Sequence, residues 1–216
     1  MSEDRELQES VMAELGWEPS IAAAHIGVAA NAGVVTLTGH VQSFPQKVAA
    51  EGAAARVKGV KAVAEEIEVR LPYDIRRGDE DIAGAAIERL AWDSSVPSDA
   101  VEIRVEKGWI TLSGELDWQF QKEAAAQAVR TLIGVVGVSN QIEVKPTVNA
   151  DDIGQNITRA LHRSWFYDPN TIKVSSQGGK IKLTGHVTTW NARDLAGKTA
   201  WSAPGATSVE NDIAVT

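Results

Sequence analysis

The sequence predicts an α+β protein built from three tandem αββαβ sandwich domains, each a mixed three-stranded sheet covered by two helices. Three observations lead there. The 216-residue chain superimposes on itself at shifts of 75 and then 71 residues, with no gap inside any copy: Leu15, Leu90 and Leu161 align, as do Leu37, Leu112 and Leu183, Gly59, Gly134 and Gly205, and Ile67, Ile142 and Ile213. Within each copy the apolar spacing changes in one fixed order, from helical to alternating and back. The triplicated positions are almost all Gly, Ala and aliphatic, so the copies share a scaffold and no catalytic group. The expected domains are 1–73, 76–147 and 149–216. Units of this size bury only about 60% of their unfolded surface and are individually marginal.

Each unit opens with apolar residues at i, i+4, i+8: Leu7, Val11, Leu15; Ile82, Ala86, Leu90; Ile153, Ile157, Leu161. That spacing is one face of a helix. Acidic residues precede or begin it (Glu3 and Asp4; Asp79 to Asp81; Asp151 and Asp152), where the macrodipole is positive. Alternation follows in Ile26-x-Val28, Val101-x-Ile103-x-Val105 and Ile172-x-Val174, the pattern of a half-buried strand. A turn then carries glycine at one fixed place, Gly33, Gly108 or Gly179, where positive φ permits a tight hairpin. The return strands are 35–41, 110–116 and 181–187, aliphatic on one face and hydroxyl-bearing on the other. Ala-rich helices run roughly over 45–58, 120–133 and 191–203, their small side chains suited to close approach to a sheet. A last strand carries Ile67 and Val69, Ile142 and Val144, Ile213 and Val215. A strand–helix–strand crossover makes it parallel to the return strand.

Composition narrows the function. Net charge is −8, which disfavours nucleic acid as a partner. The charge is uneven: residues 1–74 carry −5, 75–147 carry −4 and 148–216 carry +1. Without cysteine there are no disulfides, thiolate metal sites or thiol nucleophiles. No stretch approaches the roughly 20 apolar residues of a membrane span. The acidic start Met1-Ser2-Glu3-Asp4-Arg5-Glu6 has neither a basic nor an apolar leader segment, which predicts a cytoplasmic protein as written, or a periplasmic one if a signal was removed.

The order of motifs resembles the BON family, the bacterial osmotic-stress and nodulation domain. The matching elements are the hairpin glycine, the [VI]-x-L-[ST]-G-x-[VL] strand, the Ala-rich helix and the G-V-x-x-V-x-x-x-I-x-V segment. The last stands as Gly59-Val60 to Val69 and Gly134-Val135 to Val144, with Ala206 replacing the first Val in the third copy. The resemblance covers nearly the whole chain three times. It implies an αββαβ sandwich, no enzymatic activity, and association with envelope stress and phospholipid or membrane surfaces, with potassium a ligand in one branch. Many members are exported.

Candidate chemistry is sparse. Of four histidines only His40 and His186 are equivalent, and Glu115 stands between them in the series, so a three- or four-ligand zinc site is not expected. No cofactor or bound transition metal is predicted, and neither is hydrolase, transferase or redox activity. The strand glycines Gly39, Gly114 and Gly185 read as a bulge or a close crossing by a helix; the rival is a carbonyl site for a monovalent cation. Tryptophan is unusual, with seven copies. Trp17 and Trp92 follow the first helix and are expected to pack over the open end of the core. Trp109 follows a hairpin glycine, Trp118 and Phe120 flank the start of the second helix, and Trp190 does so in the third unit. Trp165-Phe166-Tyr167 has no counterpart in the other units and lies near Arg159 and Arg163, with Lys180 and Lys182 on the neighbouring hairpin. Aromatics beside cations suit an anionic phospholipid headgroup layer or a partner protein. Residues Trp165, Phe166, Tyr167, Arg159, Arg163, Trp190 and Trp118 are therefore the expected contact residues. The readings are a stress-associated binding module touching membranes or proteins, a small-ligand or potassium sensor, and a structural interaction scaffold.

Overall fold

In the computed structural model, residues 3–97, 99–145, 153–163 and 169–216 are described. The first repeat contains α1 (Glu3–Trp17), β1 (Ile26–Asn31), β2 (Val34–Val41), α2 (Phe44–Arg56) and β3 (Ala62–Val69). The second contains α3 (Asp79–Ala91), β4 (Val101–Glu106), β5 (Trp109–Leu116), α4 (Gln119–Arg130), β6 (Gly137–Asn140) and β7 (Glu143–Val144). The third contains α5 (Ile153–Leu161), β8 (Ile172–Gln177), β9 (Lys180–Val187), α6 (Trp190–Trp201) and β10 (Ser208–Val215). Each repeat is a three-stranded mixed sheet with two helices. The return strand is central, antiparallel to the strand before it and parallel to the last. In the second repeat the last strand is broken at residues 141–142, and its two pieces both pair with β5. The chain forms two compact units, 1–114 with 123–141 and 115–122 with 142–216.

The predicted leucine phase is observed: Leu37, Leu112 and Leu183 are completely buried. In the first repeat the core joins Val11 and Leu15 of α1, Val35 and Leu37 of β2, Ala50, Ala53 and Ala54 of α2, and Ile67 of β3. In the third it joins Ile153, Ile157 and Leu161 to Ile181, Leu183, Ala192, Ala196, Ala200 and Ile213. The alanines lie on the buried face of the second helix, where a small side chain lets the helix backbone come close to the sheet. Pro45 sits in the first turn of α2, where its missing N–H costs no helical bond. Thr189 caps α6 by accepting from the Ala192 N–H at 3.1 Å.

The hairpins are two-residue turns with positive φ at both positions: Ala32 and Gly33 (50° and 86°), Lys107 and Gly108 (52° and 78°), Gly178 and Gly179 (56° and 81°). This is the primed turn whose twist matches the flanking strands. Two of them place a non-glycine residue at a costly φ, and a carboxylate from the start of the first helix meets each. Asp4 Oδ1 accepts from Ala32 N at 2.7 Å, and Asp79 accepts from Lys107 N and Gly108 N, both at 2.8 Å. These carboxylates thus hold the hairpin as well as favouring the helix start.

The strand glycines serve a purpose other than a helix crossing. Gly39, Gly114 and Gly185 have φ of 113°, 129° and 130°, and each pairs with the first residue of the antiparallel strand. A Cβ there would collide with the backbone carbonyl of His25, Ala100 or Thr171, the residue just before that strand. The chain turns into its first strand directly against the glycine, and that close approach accounts for all three positions without a bound ion.

Candidate functional site

The third repeat contains the two candidate arginines, one on α5 and one just after it. With Ile153, Ile157 and Leu161 buried, α5 leaves Arg159 exposed, and Arg163 just beyond its end is exposed too. The Arg159 guanidinium donates to Asn156 Oδ1 at 2.7 Å. Both arginines line a cleft of about 510 Å³ between α5 and α6 whose other wall includes Thr199, Ser202 and Pro204. Arg159 also borders a second hollow of about 450 Å³ with Gln155, Thr158 and Ser176. Trp165, Phe166 and Tyr167 lie outside the described residues.

The remaining predicted contact residues divide. Trp190 is half-buried and stacks under Arg193, whose guanidinium carbon lies 5.0 Å from the ring centroid. Arg193 in turn donates from Nε to the Ile213 carbonyl at 2.9 Å, so this aromatic–cation pair is built into the packing of α6 on β10. Trp118 lies at the border of exposure, with its ring 6.5 Å from that of the exposed Phe120. Lys182, expected to be a cation available to a headgroup layer, is instead engaged by Glu210 at 2.8 Å and Asp212 at 2.7 Å. The hydrogen bonds that Lys182 donates to Asp212 and then to Glu210 raise its pKa, and the bond accepted from Lys182 holds the Asp212 carboxyl below the ordinary aspartate value. Its charge is met by two carboxylates on the adjacent strand.

The expectation for Trp17 and Trp92 is overturned. They are 85% and 88% exposed, among the most accessible large side chains described. The helix ends at or next to each of them, and the indole projects past the last core leucine instead of folding over it. Met12 and Ile87, equivalent by the 75-residue shift, are exposed on the same helices. In the third repeat the equivalents are Thr158 and Arg163. Trp109 is half-exposed and lies across Gly137, where a Cβ would strike its ring.

Other positions escaped the sequence reading. His25 and His40 stack with centroids 4.8 Å apart. Among the described residues no group of three or more His, Asp or Glu could hold a metal. Lys47 bridges to Glu65 at 2.9 Å and donates to the Ile67 carbonyl at 2.8 Å, the role Arg193 plays toward Ile213. Lys47, Lys122 and Arg193 keep the repeat's offsets, so a basic residue on the second helix was a readable signal. Among the described residues every buried side chain is apolar, and no helix is long and apolar enough to cross a membrane.

Three αββαβ sandwiches in tandem, with apolar interiors, define the class of fold to which the chain belongs. The chain belongs to the BON domain family, whose model matches residues 3–70, 78–146 and 149–216. It is similar to osmotically-inducible protein Y of Escherichia coli (strain K12), 30% identical over 150 residues that cover 66% of this chain and 73% of that one. Among solved structures, CdsD, a structural protein of the type III secretion system of Chlamydia trachomatis, matches at 16% identity, covering 98% of this chain and 92% of that one. The TM-score of that match is 0.27.

Proposed function

We propose that the chain is a non-enzymatic, stress-associated binding module that contacts an anionic phospholipid surface, or a partner protein, through its third repeat. The observation that carries this is the pair Arg159 and Arg163, exposed along an open cleft on the one repeat whose charge is not negative. The run Trp165-Phe166-Tyr167 follows within two residues of Arg163 in the chain. Cations near an anionic leaflet contribute about 1 kcal/mol each, and aromatic rings favour the headgroup layer. The acidic first and second repeats oppose approach, so binding is weak, oriented and salt-sensitive. The association with stress follows from the family and from the name of the E. coli relative.

Flotation with vesicles of phosphatidylglycerol and of phosphatidylcholine tests the reading. Binding is expected only to the anionic vesicles, lost in Trp165→Ser/Phe166→Ser and in Arg159→Gln/Arg163→Gln at an unchanged melting temperature. A lowered melting temperature with binding intact would instead make the aromatic run part of the core.

A further inference from the structure

A second basic site lies far from the third repeat in sequence. The segment joining the first two repeats carries Arg70, Arg76 and Arg77, and the chain is ordered there by its own bonds. Arg70 N donates to the Val41 carbonyl at 2.8 Å, a 3-10 turn spans Tyr73–Ile75, and Arg76 Nε donates to the Leu71 carbonyl at 3.2 Å. Arg77 donates from one terminal nitrogen to the Asp74 and Arg76 carbonyls at 3.0 and 2.8 Å, and its Cβ packs where a side chain on Gly134 would stand. Facing this strap is the second repeat's hairpin turn with Lys107. Together they line an open cleft of about 620 Å³.

Its charge runs against that of the whole molecule. Four cations (Arg70, Arg76, Arg77, Lys107) meet two carboxylates (Glu68, Asp79), leaving +2 in a chain of −8. Both carboxylates are committed: Glu68 to Arg70 at 2.7 Å, and Asp79 to the two hairpin N–H groups. Among the described residues Arg76, Arg77 and Lys107 have no carboxylate within ion-pair distance. A guanidinium has five N–H donors, and the bonds above use only one side-chain nitrogen each of Arg76 and Arg77. Asp81, beside Gly78, is a further carboxylate in the first turn of α3.

We propose that this cleft binds a phosphate group, as a phosphomonoester dianion bridging the linker arginines and Lys107. A dianion matches the +2 lining, its tetrahedral oxygens suit guanidinium forks, and the volume leaves room for the esterified part. Binding would tie the linker to the hairpin of the second repeat. Because every cation is exposed, the affinity is modest and salt-dependent.

The test is calorimetric titration of the full chain with inorganic phosphate and glycerol 3-phosphate at fixed ionic strength, with chloride as the comparator. Saturable binding is expected, weakened about tenfold in Arg76→Gln/Lys107→Asn. Asn tolerates the positive φ of residue 107, so the hairpin stays intact and the chloride-only melting temperature is unchanged. Binding should also weaken below about pH 6, where the dianion takes up a proton. Should the double variant fail to fold, Arg76→Gln alone provides the same comparison. Phosphatidic acid vesicles distinguish the source: competition by glycerol 3-phosphate places a lipid headgroup here, and vesicle binding without competition leaves a soluble ester as the ligand. Arg159→Gln/Arg163→Gln should leave phosphate binding untouched, which separates this site from the third-repeat surface. Phosphate heats no different from chloride, or unchanged in the variants, would overturn the proposal.

Discussion

The first and third repeats reach the same hairpin by different chemistry. In the first, Ala32 occupies a left-handed position and its N–H is taken by Asp4, 28 residues earlier. In the third, Gly178 stands at that position, with a φ of 56° that costs glycine nothing, and the residue equivalent to Asp4 is Ala150. The second repeat follows the first, with Lys107 and Asp79. The difference teaches that the turn geometry is the invariant, and that either a carboxylate clamp or a second glycine satisfies it. The helix surface varies in the same grouping: exposed Met12 with Trp17 and Ile87 with Trp92 become Thr158 and Arg163. The copies keep their interiors and diverge where function is expected.

The strongest challenge to this equivalence is in the core. Leu37→Ala, Leu112→Ala and Leu183→Ala should each cost about 2–5 kcal/mol, the transfer and cavity terms together. Urea denaturation should show similar losses in all three, and a much smaller loss in one repeat would mean that its core is looser. Next come the strand glycines. Gly39→Ala, Gly114→Ala or Gly185→Ala should cost about 2–4 kcal/mol, since each combines a positive φ with a displaced carbonyl; a tolerated alanine would show that the turn into the first strand can move.

The turns sharpen the contrast itself. Gly178→Ala should destabilise by about 1 kcal/mol, whereas Lys107→Gly should be neutral or stabilising because it relieves the same strain. Equal responses in thermal melts would break the distinction between the two solutions. The smallest effect belongs to Lys182→Met. Asp212 is held below its usual pKa, so its contribution is present above the unfolded value and lost as pH falls through the folded one. Lys182 is raised, so its share persists at neutral pH and is lost only as strong alkali deprotonates the folded state. The variant should therefore melt slightly below the parent at neutral pH, with the gap closing in acid or high salt.

Much of the fold was legible because it rests on local periodicity. The spacing of Leu7, Val11 and Leu15, the alternation through Leu37 and the fixed glycine of each hairpin are properties of one segment at a time, and the repeat supplied each reading three times. The order of elements and the buried leucines followed from them. What tertiary structure decided are the meetings of segments distant in sequence. Asp4 reaches Ala32, Lys47 reaches Ile67, and Gly39 makes room for the His25 carbonyl only because strand pairing brings them together. The exposure of Trp17 and Trp92 belongs to the same class. A tryptophan beyond a helix is buried or bare according to what other parts of the chain cover it, and no local pattern carries that information. The basic cleft at Arg76 and Lys107 is likewise a sum over two segments 31 positions apart, brought face to face by the fold.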